Sequence, residues 1–289
     1  MKNKNPVFAR LDEQTSGGSG FAYSEGVSAY QQAGQQPYPT AQPGAPVGIP
    51  SGPPTGSVYE PVTDRMTLDD VVVRTGISIA VLIPFALIGW FTAPTMPFLY
   101  FIAMFVGLGL GIANAVKKTV SPPLILTYAA AQGVFLGGIS YAYDVWAQGT
   151  GYEGLVSQAI IGTLVAFVVM LALYRTRIIK VNGRFMKIMM VAMVSYLVIA
   201  LASFVSALFG VGGGFGFYGV GTLGIILCMI GVALASFSLL IDFESISRGI
   251  QAGLPSRESW RMAFGLLVTL IWLYLEILRM LAIIASSRD

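Results

Sequence analysis

The stretch that decides the fold lies at residues 260–285, WRMAFGLLVTLIWLYLEILRMLAIIA. It exceeds the ~20 apolar residues that a helix needs to cross the hydrocarbon of a bilayer. Within it stand one acid, Glu276, and two bases, Arg261 at its start and Arg279 deeper in. Six further apolar runs precede it, beginning near Ile77. Spans are therefore expected near Val72–Thr92, Phe98–Ala115, Pro122–Tyr143, Leu155–Leu173, Phe185–Phe209, Tyr218–Ile241 and Trp260–Ala285. Hydrophobic residues make up 55% of the chain and charged residues 11%, against roughly 25% charged in a soluble domain. The fold class this predicts is an all-α membrane protein of seven transmembrane helices.

The connections give the orientation. Lys117 and Lys118 fall in the second gap, Arg175, Arg177, Lys180, Arg184 and Lys187 in the fourth, and Arg248, Arg257 and Arg261 in the sixth, whereas the first, third and fifth carry no Lys or Arg. Short loops rich in Lys and Arg stay on the cytoplasmic side, so a cytoplasmic N-terminus and an external C-terminus are expected, in the cell membrane. Trp90, Trp146 and Trp260 fall near the predicted interfaces, where an aromatic belt belongs.

Residues 1–65 have a different composition. They are rich in Gln, Pro, Gly, Ser and Tyr, with too little aliphatic surface to offset chain entropy, and read as a disordered cytoplasmic tail ahead of a transmembrane domain at 66–289. No apolar segment follows Lys2 and Lys4, so they do not read as a secretory signal. Thr67 with Asp70 three positions on predicts the N-cap of the first helix.

Several chemistries are excluded or disfavoured. The chain has no histidine, which removes imidazole metal sites, His triads and His pH switches. The single cysteine, Cys228, lies in an apolar run and can form no intrachain disulfide. A net charge of +3 concentrated in loops argues for contact with anionic lipid rather than nucleic acid. Gly212-Gly213-Gly214 lacks the Lys-Ser/Thr of a phosphate loop and reads as a flexible outer turn. Gly107, Gly109, Gly111, Gly133, Gly137 and Gly231 with Ala235 read as places where helices approach closely. No metal site, cofactor or enzymatic centre is expected, although aspartyl chemistry needs only two acids.

What remains is ionisable and intramembrane. Glu276 lies about 22 Å along its helix from Arg261, a depth at which a carboxylate must face protein or water, be protonated or pair with a cation. Arg279 is three residues on and shares its face. Thr269, Trp272, Glu276 and Arg279 make one polar stripe, which reads either as a structural Glu276–Arg279 bridge or as an ion or proton path. Asp242 is expected to close the sixth helix near its cytoplasmic edge, and Asp144 to be an ordinary interfacial charge.

Ile241-Asp242-Phe243-Glu244-Ser245-Ile246 resembles the Tyr-Asp-Thr-Gln-x-Ile ending of helix six in the Bax inhibitor family, the transmembrane Bax inhibitor motif proteins, in its bacterial branch. Met262-Ala263-Phe264 through Leu278-Arg279-Met280-Leu281 is similar to that family's last helix, and Lys117-Lys118 to its basic cluster after helix two. The resemblance covers helices one to seven and omits the tail. It implies a central last helix and a proton-sensitive calcium leak, closed when an aspartate of helix six pairs with one of helix seven under a basic latch. Asp242 matches the first aspartate and Lys117 or Lys118 the latch. An ungapped alignment puts Thr269 at the second aspartate, with Glu276 as a relocated acid two turns deeper. Matching Leu273-Tyr274-Leu275-Glu276 to the family's Leu-Tyr-Leu-Asp restores the acid but lengthens the separation. The expected function is a cation leak, Ca²⁺ or H⁺, gated by carboxylate protonation. Two alternatives stand: a proton-coupled transporter, and a non-transporting regulator that binds membrane proteins such as a protease. Deleting residues 1–65 separates a regulator, which could work through the tail, from a leak.

Overall fold

A computed structural model describes residues 65–210, 216–219 and 221–287. Seven α-helices follow in order: α1 Leu68–Thr92, α2 Phe98–Val116, α3 Pro122–Gln148, α4 Leu155–Arg175, α5 Gly183–Leu208, α6 Thr222–Gln251 and α7 Ser259–Ser286. Each is long and apolar enough to span a membrane. The expected tail at 1–64 and the glycine turn at 212–214 lie outside the described residues.

Local chemistry sets the helix ends. Thr67 Oγ1 accepts from the Asp70 amide at 3.2 Å while Asp70 Oδ2 accepts from the Thr67 amide at 3.0 Å, so α1 opens on the capping box that the sequence predicted. Pro122 and Pro123 open α3 at positions whose N–H would lack an intrahelical partner in any case. Asn182 caps α5 through the Phe185 amide at 2.8 Å.

The sixth helix departs from expectation at both ends. Tyr218 belongs to a separate 3-10 turn, Gly216–Tyr218, and α6 begins at Thr222. At the other end α6 runs on to Gln251, nine residues past Asp242, so Asp242 does not close it. The extra turns persist because they are amphipathic. Phe243, Ile246 and Gly249 are buried, while Glu244 and Arg248 pair on the outside at 2.7 Å. Polar residues there mark an exposed face rather than a helix end.

One end of the bundle collects the basic connections. The Met66 amide donates to Leu254 O at 2.7 Å, Arg257 to Val120 O at 2.8 Å, and Arg261 to Lys118 O at 2.7 Å. Arg74 reaches Ser256 O and Ser259 Oγ and lies 5.7 Å from the Trp260 ring centroid. Tyr174 donates to Glu244 at 3.1 Å, which brings the end of α4 to the same place. The start of α1 and the second, fourth and sixth connections therefore share one face, hereafter the basic face.

Packing makes α7 the axis. Half of its most apolar window is buried, against 11% for α1 and α2 and 17% for α5. It packs on α1, α3, α4 and α6. By contrast, among the described residues, α2 rests mainly on α3, and α5 packs chiefly on α6 and the 3-10 turn along its backbone. Glycines bring α1 and α3 together: a Cβ at Gly137 would strike Ala86 O and stand 2.7 Å from the Trp90 amide nitrogen, and one at Gly133 would stand 2.8 Å from Phe85 Cβ. Gly109 differs, with open space where its Cβ would be.

Candidate functional site

The α6–α7 seam carries the ionisable residues. Antiparallel packing sets Asp242 of α6 beside Gly265 and Thr269 of α7, and Gly231 of α6 beside Glu276 of α7, with Ser238 and Ala235 between the two levels on α6 and Trp272 on α7. Each set recurs every three or four residues, so each forms one helix face.

Glu276 is 3% exposed. Its Oε1 accepts from Tyr196 of α5 at 2.9 Å and from Trp272 Nε1 at 3.1 Å. Oε2 lies 3.6 Å from an Arg279 nitrogen and accepts no hydrogen bond. Room for the carboxylate comes from Gly231, where a Cβ would strike the Tyr196 hydroxyl and stand 2.6 Å from Oε2. The close-approach reading of Gly231 is thereby made specific: what approaches is an acid. Above it, the Arg279 guanidinium lies 4.6 Å from the Tyr218 ring centroid, with the Tyr143 hydroxyl beside it. Tyr196 joins Tyr218 at 6.3 Å and Trp272 at 5.9 Å between ring centroids.

Two turns nearer the basic face, Asp242 is half-buried, and its Oδ2 is enclosed with no hydrogen-bond partner. The Thr269 hydroxyl is its hydrogen-bond neighbour, and Thr269 itself is 8% exposed. Asp242 and Thr269 thus meet across the seam, while Glu276 forms a second station deeper in. Lys117 and Lys118 are exposed at the end of α2. Lys117 lines a small recess with Asn114, Ser121, Arg261 and Phe264, and Lys118 contributes its carbonyl to Arg261. Neither lysine forms an ion pair with Asp242 among the described residues. Asp144 accepts from Gln148 at 2.6 Å at the opposite end of the bundle.

The residues that sequence reasoning missed are Tyr196, Tyr218 and Tyr143. Tyr196 carries a signal in retrospect, a phenol at mid-span in the apolar run of α5, where its hydroxyl needs a partner. Tyr218 carries none, because its position depends on how the connection before α6 folds back.

A buried acceptor without a donor costs about 1–3 kcal/mol, and two on one seam are not what packing alone selects. A seven-helix membrane protein with a central last helix and two intramembrane acid stations is the class that this geometry defines. The chain matches the family described as Bax inhibitor 1 like over residues 5–286, and belongs to it. That match begins ahead of the spans and takes in most of the segment that the sequence resemblance omitted. A search of curated proteins gives no match.

Proposed function

We propose that this chain is a cation leak channel, with calcium the first ion to test, gated by protonation of Asp242 and Glu276, and inserted in the cell membrane with its N-terminus cytoplasmic and its C-terminus external. The observation that supports it is the pair of enclosed carboxylate oxygens without hydrogen-bond partners, Asp242 Oδ2 and Glu276 Oε2, at successive levels of one seam. Oxygens of this kind attract a cation or a proton in transit, because neither accepts a hydrogen bond among the described residues and Arg279 stands 3.6 Å from Glu276 Oε2. Between their levels lie Thr269 and Trp272 on α7 and Ser238 on α6, and α5 reaches both helices there through Met193 to Ser238 and Tyr196 to Glu276. The lysines stand apart from Asp242 here, so a latch formed by Lys117 or Lys118 belongs to a second conformation. A proton arriving at Asp242 removes a charge facing Thr269, and a shift from 10% to 90% open needs only about 2.6 kcal/mol of differential interaction.

The test is calcium flux into liposomes holding a calcium dye, over a range of pH, for the wild type, Glu276→Gln and Asp242→Asn. Both amides keep shape and hydrogen-bonding ability without the charge. Expected are changed flux in Glu276→Gln and a flattened pH response in Asp242→Asn, with both proteins folded. Wild-type flux no greater than that of empty liposomes, or unchanged flux in both variants, would sink the channel reading.

A further inference from the structure

We propose that Tyr196, Tyr218, Trp272 and Glu276 form a binding cage for guanidinium-type organic cations, and that Arg279 is the tethered cation that occupies it. Three rings and one carboxylate converge there. Tyr196 and Trp272 both donate to Oε1 of Glu276, which fixes the carboxylate and leaves Oε2 free of hydrogen bonds. The Tyr218 ring offers a π face, already covered by the Arg279 guanidinium at 4.6 Å from its centroid. Faces of this kind attract flat, weakly hydrated cations, and a guanidinium also matches a carboxylate edge with two parallel N–H donors.

Arg279 fills the cage imperfectly. Its nearest nitrogen is 3.6 Å from Oε2, beyond the ~2.7–2.9 Å of a charge-assisted hydrogen bond. Arg279 is also engaged elsewhere, over the Tyr218 ring at 4.6 Å and beside the Tyr143 hydroxyl, which leaves its fork off the carboxylate. A free guanidinium is not held to those two partners from one fixed Cα. The Arg279 side is the less enclosed one, that side chain being 28% exposed while that of Glu276 is 4% exposed. A resident metal ion matches the cage less well. Calcium takes about six to eight oxygen ligands, and the described residues hold no group of three His, Cys, Asp or Glu side chains that would grip a metal.

The test uses the purified full chain and methylguanidinium chloride against potassium chloride at equal ionic strength, with thermal melting as the readout. Arg279→Ala vacates the cage. In that variant millimolar methylguanidinium is expected to raise the melting temperature by roughly 2–4 °C over the potassium control. The wild type, with Arg279 in place, is expected to respond less, and Arg279→Ala combined with Glu276→Gln not at all. Should Arg279→Ala fail to fold, Arg279→Gln, which keeps a polar side chain but carries no charge, takes its place in the same comparison. A folded variant whose melting is indifferent to methylguanidinium, or which responds equally with Gln at position 276, overturns the proposal. Flux is not read, so failure here is distinct from failure of the leak channel.

Discussion

Glu276 and Asp242 are both acids in the membrane interior, yet their surroundings differ in a way that ranks their substitutions. Glu276 has two donors on one oxygen and a base near the other. In Glu276→Gln the amide oxygen still accepts from Tyr196 and Trp272, and Arg279 is partly exposed and keeps its place on Tyr218. The stability cost should therefore be about 1–2 kcal/mol, below the ~3–5 kcal/mol of breaking a fully buried pair. Among the described residues, Asp242 has the Thr269 hydroxyl alone as a hydrogen-bond neighbour. Thr269→Asp would place a second carboxylate against it, which restores the acid pair that the family resemblance implies. Two adjacent carboxylates repel when both are ionised, and protonation of either relieves the repulsion. Thr269→Asp is expected to melt below the wild type at neutral and alkaline pH, with the difference narrowing as pH falls. Parallel melting curves over pH would check this; a difference independent of pH would mean that position 269 does not face Asp242. The polar stripe Thr269, Trp272, Glu276 and Arg279 was legible in the sequence because helical spacing alone puts those residues on one face. The partners across the seam were not, since the apolar pattern gives no register between α5, α6 and α7.

Among the helices, glycine decides how near two backbones come, and the structure separates glycines that the sequence could only group. Gly137 faces the α1 backbone at Ala86 and Trp90, atoms that cannot swing aside. Gly109 faces open space on lipid-exposed α2. Gly137→Ala should force α1 and α3 apart and destabilise by about 1–3 kcal/mol, as overpacking does. Gly109→Ala should be neutral or stabilising by up to about 1 kcal/mol, because alanine is the better helix former. Thermal melting of the two variants in one detergent checks the contrast, and equal effects would contradict the α1–α3 packing. Length was also misread for a local reason. The run from Asp242 to Gln251 contains Glu244, Ser245, Ser247 and Arg248, which a hydropathy reading ends as membrane, although Phe243, Ile246 and Gly249 continue the buried face. The cap of the first helix is legible because its signal, Thr67 with Asp70, is a local hydrogen-bond exchange that needs no tertiary partner, although the helix begins at Leu68, ahead of the span expected from Val72.

For the molecule as a whole, charge and connectivity bear on the proposed orientation. The three basic connections and the start of α1 meet at one end, tied by Arg257 to Val120 and Arg261 to Lys118, so the asymmetry read along the chain is also an asymmetry in space. Each Lys or Arg near an anionic inner leaflet contributes about 1 kcal/mol, and these contributions all favour the same face. In the proposed orientation, seven crossings put the two termini on opposite sides. Cys228 is fully buried, which leaves thiol labelling dark until a cysteine is added elsewhere. S16C is therefore expected to react with a membrane-impermeant thiol reagent only in inside-out vesicles, and S287C only in intact cells. Labelling of both from the cell exterior, or of both from the vesicle exterior alone, would mean an even number of crossings. One of the seven helices would then be re-entrant, or an eighth crossing would exist. The lightly packed α5 is the first helix to suspect, because it holds the bundle chiefly through α6, the 3-10 turn and the hydrogen bond from Tyr196 to Glu276.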